Sequence, residues 1–225
     1  MRTGRIFILL FTFISLLLGQ EMNANTPKRP DFAYPKTVSA DASKALAKAL
    51  DASDGPAITR ALLDYYLAQT KIDASNGVGV VEKIDSICTA SSDPLLKAML
   101  LTLQADIYSA VYSSSRWKYD SRDLPLSPLP ADYNEWSGEQ FRNRIASLVN
   151  SALLYEDALK AAPVKTYASV IDFGAERRKD QGALGINRLG AIYYPTLYDF
   201  VASQALELLT SNGRVRSLLS WGLLT

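Results

Sequence analysis

The sequence predicts an all-α fold of antiparallel helical hairpins, on three observations. Apolar residues recur at three–four spacing through most of positions 39–210, the repeat that lines one face of a helix. Prolines stand at first-turn positions, as in Asp93-Pro94, where the missing N–H has no partner to lose. The one long interruption, Arg116–Phe141, reads RWKYDSRDLPLSPLPADYNEWSGEQF and carries Pro125, Pro128 and Pro130, which a helix interior or central strand does not accept. It reads as an ordered connector clamped by its aromatic rings, with hairpins packed against it.

Taken in order, the chain begins with Arg2 and Arg5, then the apolar run Ile6–Leu18, then Gln20, Glu21 and Asn23. A basic start and an apolar core shorter than the roughly 20 residues of a spanning helix predict a signal peptide over 1–24. Gly19 or Ala24 is the small residue before a cut. An uncleaved anchor helix is the alternative and the only membrane attachment expected. Either way the remainder faces an extracytoplasmic compartment, periplasmic or at the cell envelope. Residues 25–38 are proline-rich and polar, an extended lead-in in which Phe32 and Tyr34 are candidate anchors. The helical domain spans 39–210.

Asp41–Leu50 is alanine-rich and stripes Ala45, Leu46, Ala49 and Leu50 on one side. Asp51–Gly55 breaks it. Pro56 opens a second helix, with Ile58, Leu62, Tyr65 and Tyr66 inward, fading by Ile72. After a turn at Ala74–Gly77, Val78–Cys88 forms a third. Asp93-Pro94 opens a fourth, with Leu96, Met99, Leu100, Leu103, Ile107 and Val111 inward. Pro56 and Pro94 lie 94 − 56 = 38 residues apart, and each opens the longer helix of a pair. A tetratricopeptide-like stack has a similar period, although its Trp, Gly, Tyr, Ala, Phe and Pro signature is missing.

Past the connector, Ser137-Gly138-Glu139-Gln140 is a capping box for a fifth helix reaching about Leu159. Phe141, Ile145, Leu148, Val149 and Ala152 share its buried face, and Arg142, Arg144, Asn150 and Glu156 its solvated one. Val170, Ile171 and Phe173 can pair with Ile186, Leu189, Ala191 and Ile192 as one small β-hairpin, without a two-residue turn at its middle. Gly182, Gly185 and Gly190 match neither a dinucleotide loop nor a Walker loop. A last helix begins at Pro195-Thr196 and stops at Ser211-Asn212-Gly213. The tail 211–225 ends in RVRSLLSWGLLT, apolar enough to need a surface to cover it.

Composition bounds the chemistry. Hydrophobic residues make up 48% and charged residues 21%, which suits a folded chain. With 24 basic and 23 acidic residues there is no net field to draw in nucleic acid. Histidine is absent, so the commonest general base, zinc ligand and nucleophile activator are missing. Cys88, the single cysteine, has no disulfide partner and falls on the stripe Val80, Val81, Ile84, Ile87, which reads as core. No metal cluster and no cofactor site is expected.

Two kinds of site merit weighing in the connector. Asp120 with Asp123, or Asp132 with Glu135, could act as a carboxylate pair on a glycoside. Arg116, Lys118 and Arg122 interleave with the first pair, however, and would depress such acids. Trp117, Tyr119, Tyr133 and Trp136 could instead stack on a sugar. The structural alternative is that these four rings rivet the connector to the helices, and it is the preferred one.

Three blocks carry a resemblance: FAYPKTVSADASKAL (Phe32–Leu46), RWKYDSRDLPLSPLPADYNEWSGEQFRNRI (Arg116–Ile145) and YYPTLYDFVASQALELL (Tyr193–Leu209). Together they resemble the N-terminal helical region of large bacterial alpha-2-macroglobulin-like proteins, where such a region precedes a string of β-sandwich domains. The resemblance implies a role in extracytoplasmic defence by trapping or inhibiting proteases. It implies as partners the other domains of the parent protein, or target proteases. The family's Cys-x-Glu-Gln thioester stretch has no counterpart here, since Thr89, Ala90 and Ser91 follow Cys88, so no functional residue carries over. The bait segment and sandwich domains are also absent. That implies the leading piece of such a protein, ended by truncation or a frameshift near Gly213. The expected function is a non-catalytic scaffold or docking region without inhibitory activity alone. A helical glycan-binding module is the alternative, and a glycoside-acting enzyme the weaker one.

Overall fold

The structure, a computed structural model, describes residues 30–123, 129–171 and 194–210. Among these it holds eight α-helices and no strand: α1 (Pro35–Asp51), α2 (Gly55–Ile72), α3 (Gly77–Ala90), α4 (Pro94–Ser114), α5 (Arg116–Asp120), α6 (Gly138–Leu153), α7 (Glu156–Ala161) and α8 (Leu197–Thr210). All eight belong to one unit that begins at Asp31. No helix among the described residues is long and apolar enough to cross a membrane. The signal peptide expected over 1–24 and the tail 211–225 lie outside the described residues. So does most of the β-hairpin expected between Val170 and Ile192. Its described start, Val170 and Ile171, hydrogen-bonds back to the Tyr167 carbonyl in a helical turn.

Local chemistry accounts for the helix starts. Asp54 accepts from the Ala57 N–H at 3.0 Å and Asp93 from the Leu95 N–H at 2.9 Å, with Pro56 and Pro94 in the first turns. The Ser137/Gln140 capping box opens α6 as expected, and Thr196 with Asp199 forms a second such pair at α8. Helix α1 starts at Pro35, earlier than the lead-in expected to run extended to 38, because proline at the first position is already set for a helix. Tyr34 therefore caps α1 and is exposed rather than anchored. At the other end α1 closes in a Schellman turn: the Asp54 N–H donates to the Ala49 carbonyl, the Ser53 N–H to that of Leu50, and Ser53 sits at φ 53°.

The fifth predicted helix is two helices. Carried straight past Ala152, the buried stripe would reach Glu156; the chain instead turns at Leu154-Tyr155. Leu159 is thereby buried in α7, while Glu156 stays outside and pairs with Lys160.

Helices α1 and α2 form a hairpin, α2 packs on α3 and α4, and α4 and α6 make the other extensive pairing, with α8 across α6, α7 and α4. Helix α4 is the centre. Every residue from Thr102 to Ser109 is buried, so it is wrapped on all sides. Two polar side chains inside it reach partners: the Thr102 hydroxyl donates to the Ala98 carbonyl at 2.8 Å, and Gln104 Nε2 makes long bonds to Val81 O (3.4 Å) and Asp85 Oδ1 (3.5 Å) on α3, while Gln104 Oε1 has no hydrogen-bond partner among the described residues. Beyond α7, Val164 N donates to Pro195 O and Leu197 N to Ala162 O, joining the start of α8 to the end of α7. Cys88 is buried in the core as expected, and burial pushes its thiol pKa up.

Candidate functional site

The connector Arg116–Phe141 is where sequence placed the candidate residues. Ser115 leaves the helical region, so α4 ends and Arg116–Asp120 makes one separate turn. On that turn Tyr119 points inward, and Trp117, two residues earlier, points the opposite way. Trp117 is 80% exposed, whereas Tyr119, Tyr133 and Trp136 are each 3% exposed. This corrects the expectation for Trp117, which rivets nothing. It also means the four rings do not make a stacking platform, because three of them have no face in solvent.

The three buried rings join Tyr108 and Tyr112 of α4 and Phe141 of α6 in a single cluster. Trp136 lies 5.1 Å from Tyr108 and 5.2 Å from Phe141 between ring centres, and Tyr119 lies 4.7 Å from Phe141. Such offset and edge contacts add to what burial alone gives. Trp136 Nε1 donates to the Pro130 carbonyl at 2.7 Å, which satisfies the one polar atom of the indole inside the connector. Tyr133 is carried on a single 3-10 turn, Tyr133–Glu135, capped by Asp132. Its hydroxyl lies so close to Gly77 at the start of α3 that a Cβ there would overlap it. Burial foremost, then the neighbouring Tyr119 and Asp132, pushes the Tyr133 pKa up to about 12.

Outside the rings runs a polar network. Asp120 Oδ1 accepts from the Tyr112 hydroxyl at 2.7 Å and from Arg142 at 3.2 Å, and Oδ2 accepts from Arg116 Nε at 2.9 Å. The two guanidinium groups lie 5.9 Å (Arg116) and 5.7 Å (Arg142) from the Tyr112 ring centre. Arg122 Nη1 donates to the carbonyls of Asn134 and Trp136, tying an early part of the connector to a late one. Burial pushes the Asp120 carboxyl up, but the donors from Tyr112, Arg116 and Arg142 outweigh it and hold the pKa below the usual carboxylate range. That is the wrong direction for a general acid, and Asp132 is engaged with Asn134 at its cap.

Between α5 and the first turn of α6 this network borders a cleft of about 460 Å³ lined by Arg116, Asp120, Arg122, Ser137, Gly138, Glu139 and Arg142. Sequence reasoning missed it. Arg142 read as a solvated helix residue and Arg122 as a partner for nearby acids, and nothing in their spacing brings 116, 122 and 142 together. The one available signal was Gly138 inside the capping box: a Cβ there would overlap Asp120 Oδ1, so the glycine marks where the connector presses on α6. Among the described residues no group of three or more His, Cys, Asp or Glu side chains could hold a metal ion.

No protein-family model matches the chain, and neither a curated protein nor a solved structure shows detectable similarity to it. The class that fold and site define is an all-α protein of packed helical hairpins with a ring-sealed connector.

Proposed function

We propose that this protein is a non-catalytic helical scaffold, the docking region of an alpha-2-macroglobulin-like protein that restrains proteases at the cell envelope. The observation that carries the scaffold reading is the six-ring cluster. The connector, which is also the most specific block of the resemblance, commits Tyr119, Tyr133 and Trp136 to holding α4 and α6 together. Alone, the chain is expected to leave serine endopeptidases at full rate, and stoichiometric inhibition would contradict the docking role. Coding sequence beyond codon 225 that translates, in any frame, into β-sandwich repeats would support the parentage.

A glycan-binding module is the second reading, and the exposed indole of Trp117 favours it. The two separate in titrations with peptidoglycan and lipopolysaccharide fragments. Saturable binding that Trp117→Ala abolishes, with the thermal midpoint unmoved, would displace the scaffold reading.

A further inference from the structure

The cleft between α5 and α6 brings together three guanidinium groups, Arg116, Arg122 and Arg142, and two carboxylates, Asp120 and Glu139. Asp120 is shared by Arg116 and Arg142. Arg122 donates to two neutral carbonyls and lies 5.5 Å from the Tyr119 ring centre, with no ion pair among the described residues. Glu139 stands exposed at the rim. Among the described residues Arg122 and Arg142 donate hydrogen bonds through Nη1 alone, which leaves the Nε and Nη2 hydrogens of each planar fork open. That edge is the one that matches a carboxylate with two parallel bonds.

Size narrows the occupant. At about 460 Å³ the cleft falls within the roughly 300–1,000 Å³ of ligand sites and far exceeds what a single small anion fills. Its lining offers charge and hydrogen bonds rather than an apolar bed, which suits an extended segment with acidic side chains more than a greasy helix. We propose that this cleft is the docking site for an acidic segment of a partner polypeptide, whose Asp or Glu carboxylate is held by Arg122 and Arg142. This rests on the docking reading above and names the chemistry of the partner.

The test is calorimetric titration of the full chain with a short glutamate-rich peptide and with the same peptide carrying glutamine at every glutamate. The acidic peptide should bind saturably, more weakly as salt rises, and the glutamine peptide should not bind. Arg142→Gln should weaken binding at least about tenfold, since both charge-assisted hydrogen bonds of its fork are lost. Glu139→Gln should tighten it, a gain that damage to the fold cannot mimic. Inorganic phosphate at equal concentration should not displace the peptide. Equal binding of both peptides, no binding of either, weaker binding by Glu139→Gln, or displacement by phosphate would each overturn the proposal. Ring-cluster stability is measured separately, so a failed titration leaves the scaffold reading standing.

Discussion

Replacing Trp136 by alanine while replacing Trp117 likewise puts the connector to its hardest test. Trp136 is 3% exposed, in contact with Tyr108 and Phe141 at 5.1 and 5.2 Å between ring centres, and donates its indole N–H to Pro130. Removing a ring so enclosed costs about 3–5 kcal/mol, from lost burial and from the cavity left among neighbours that cannot all collapse into it. Pro130 is only half-buried, so water reaching its carbonyl would take over the lost hydrogen bond and that contribution is small. Trp117, 80% exposed, should cost no more than about 0.5 kcal/mol. Urea unfolding followed by far-ultraviolet circular dichroism reads both. For a domain of this size the Trp136 loss corresponds to a fall in thermal midpoint of roughly 6–20 °C. Trp136→Phe should recover part of it. If Trp136→Ala and Trp117→Ala cost the same, or Trp136→Ala costs under about 1 kcal/mol, the rings do not hold the connector down and the reasoning fails.

Ser53→Gly should stabilise the protein by about 0.5–1 kcal/mol, since Ser53 holds the left-handed position of a Schellman turn that glycine adopts without strain; chemical denaturation measures it. Gly138→Ala should destabilise by about 1–3 kcal/mol, because the new Cβ overlaps Asp120 Oδ1. Adding Asp120→Ala should give a double variant less damaged than the sum of the two, which a double-mutant cycle reads. Asp120 has a lowered folded pKa, so its stabilising contribution is present above the unfolded value near 3.9 and lost as pH falls through the folded one. The stability difference between the wild type and Asp120→Asn should therefore shrink below about pH 4. Tyr133 is raised to about 12, so stability that depends on its protonated form is kept below the unfolded value near 10 and lost between there and 12. Tyrosinate absorbance should lag accordingly, and Tyr133→Phe should make the loss over that range shallower, the rest belonging to other buried tyrosines such as Tyr66 and Tyr167, which burial also raises.

Much of the fold could be read from single residues because the responsible chemistry is local. Asp93-Pro94 and the Ser137–Gln140 box begin helices through contacts within four residues, and the stripe Leu96, Met99, Leu100, Leu103 needs only the helical period. Events decided at longer range escaped. The turn at Leu154-Tyr155, which lets Leu159 be buried and Glu156 stay outside, is not written in the local pattern. Trp117 and Tyr119 differ in composition hardly at all, and only the separate helical turn made after Ser115 sends one outward and the other into the ring cluster. The arginine cleft was the least legible part. Its residues come from two elements joined by a proline-rich passage whose path no periodicity describes, and local pairing was the natural expectation for each charge taken singly.

A shaft surrounded by grease on every side has no preferred angle of rotation as far as burial is concerned, and α4 is close to such a shaft. Polar side chains along it, together with the ring contacts of Tyr108 and Tyr112, favour one angle: Gln104 reaches across to Val81 and Asp85, and Tyr112 to Asp120. The long Gln104 bonds contribute little free energy, yet such contacts choose among orientations that hydrophobic burial leaves nearly level. Exchanging Gln104 for leucine should thus raise the unfolding free energy while broadening the methyl signals of α4 in nuclear magnetic resonance spectra, a firmer core turning less decidedly one way.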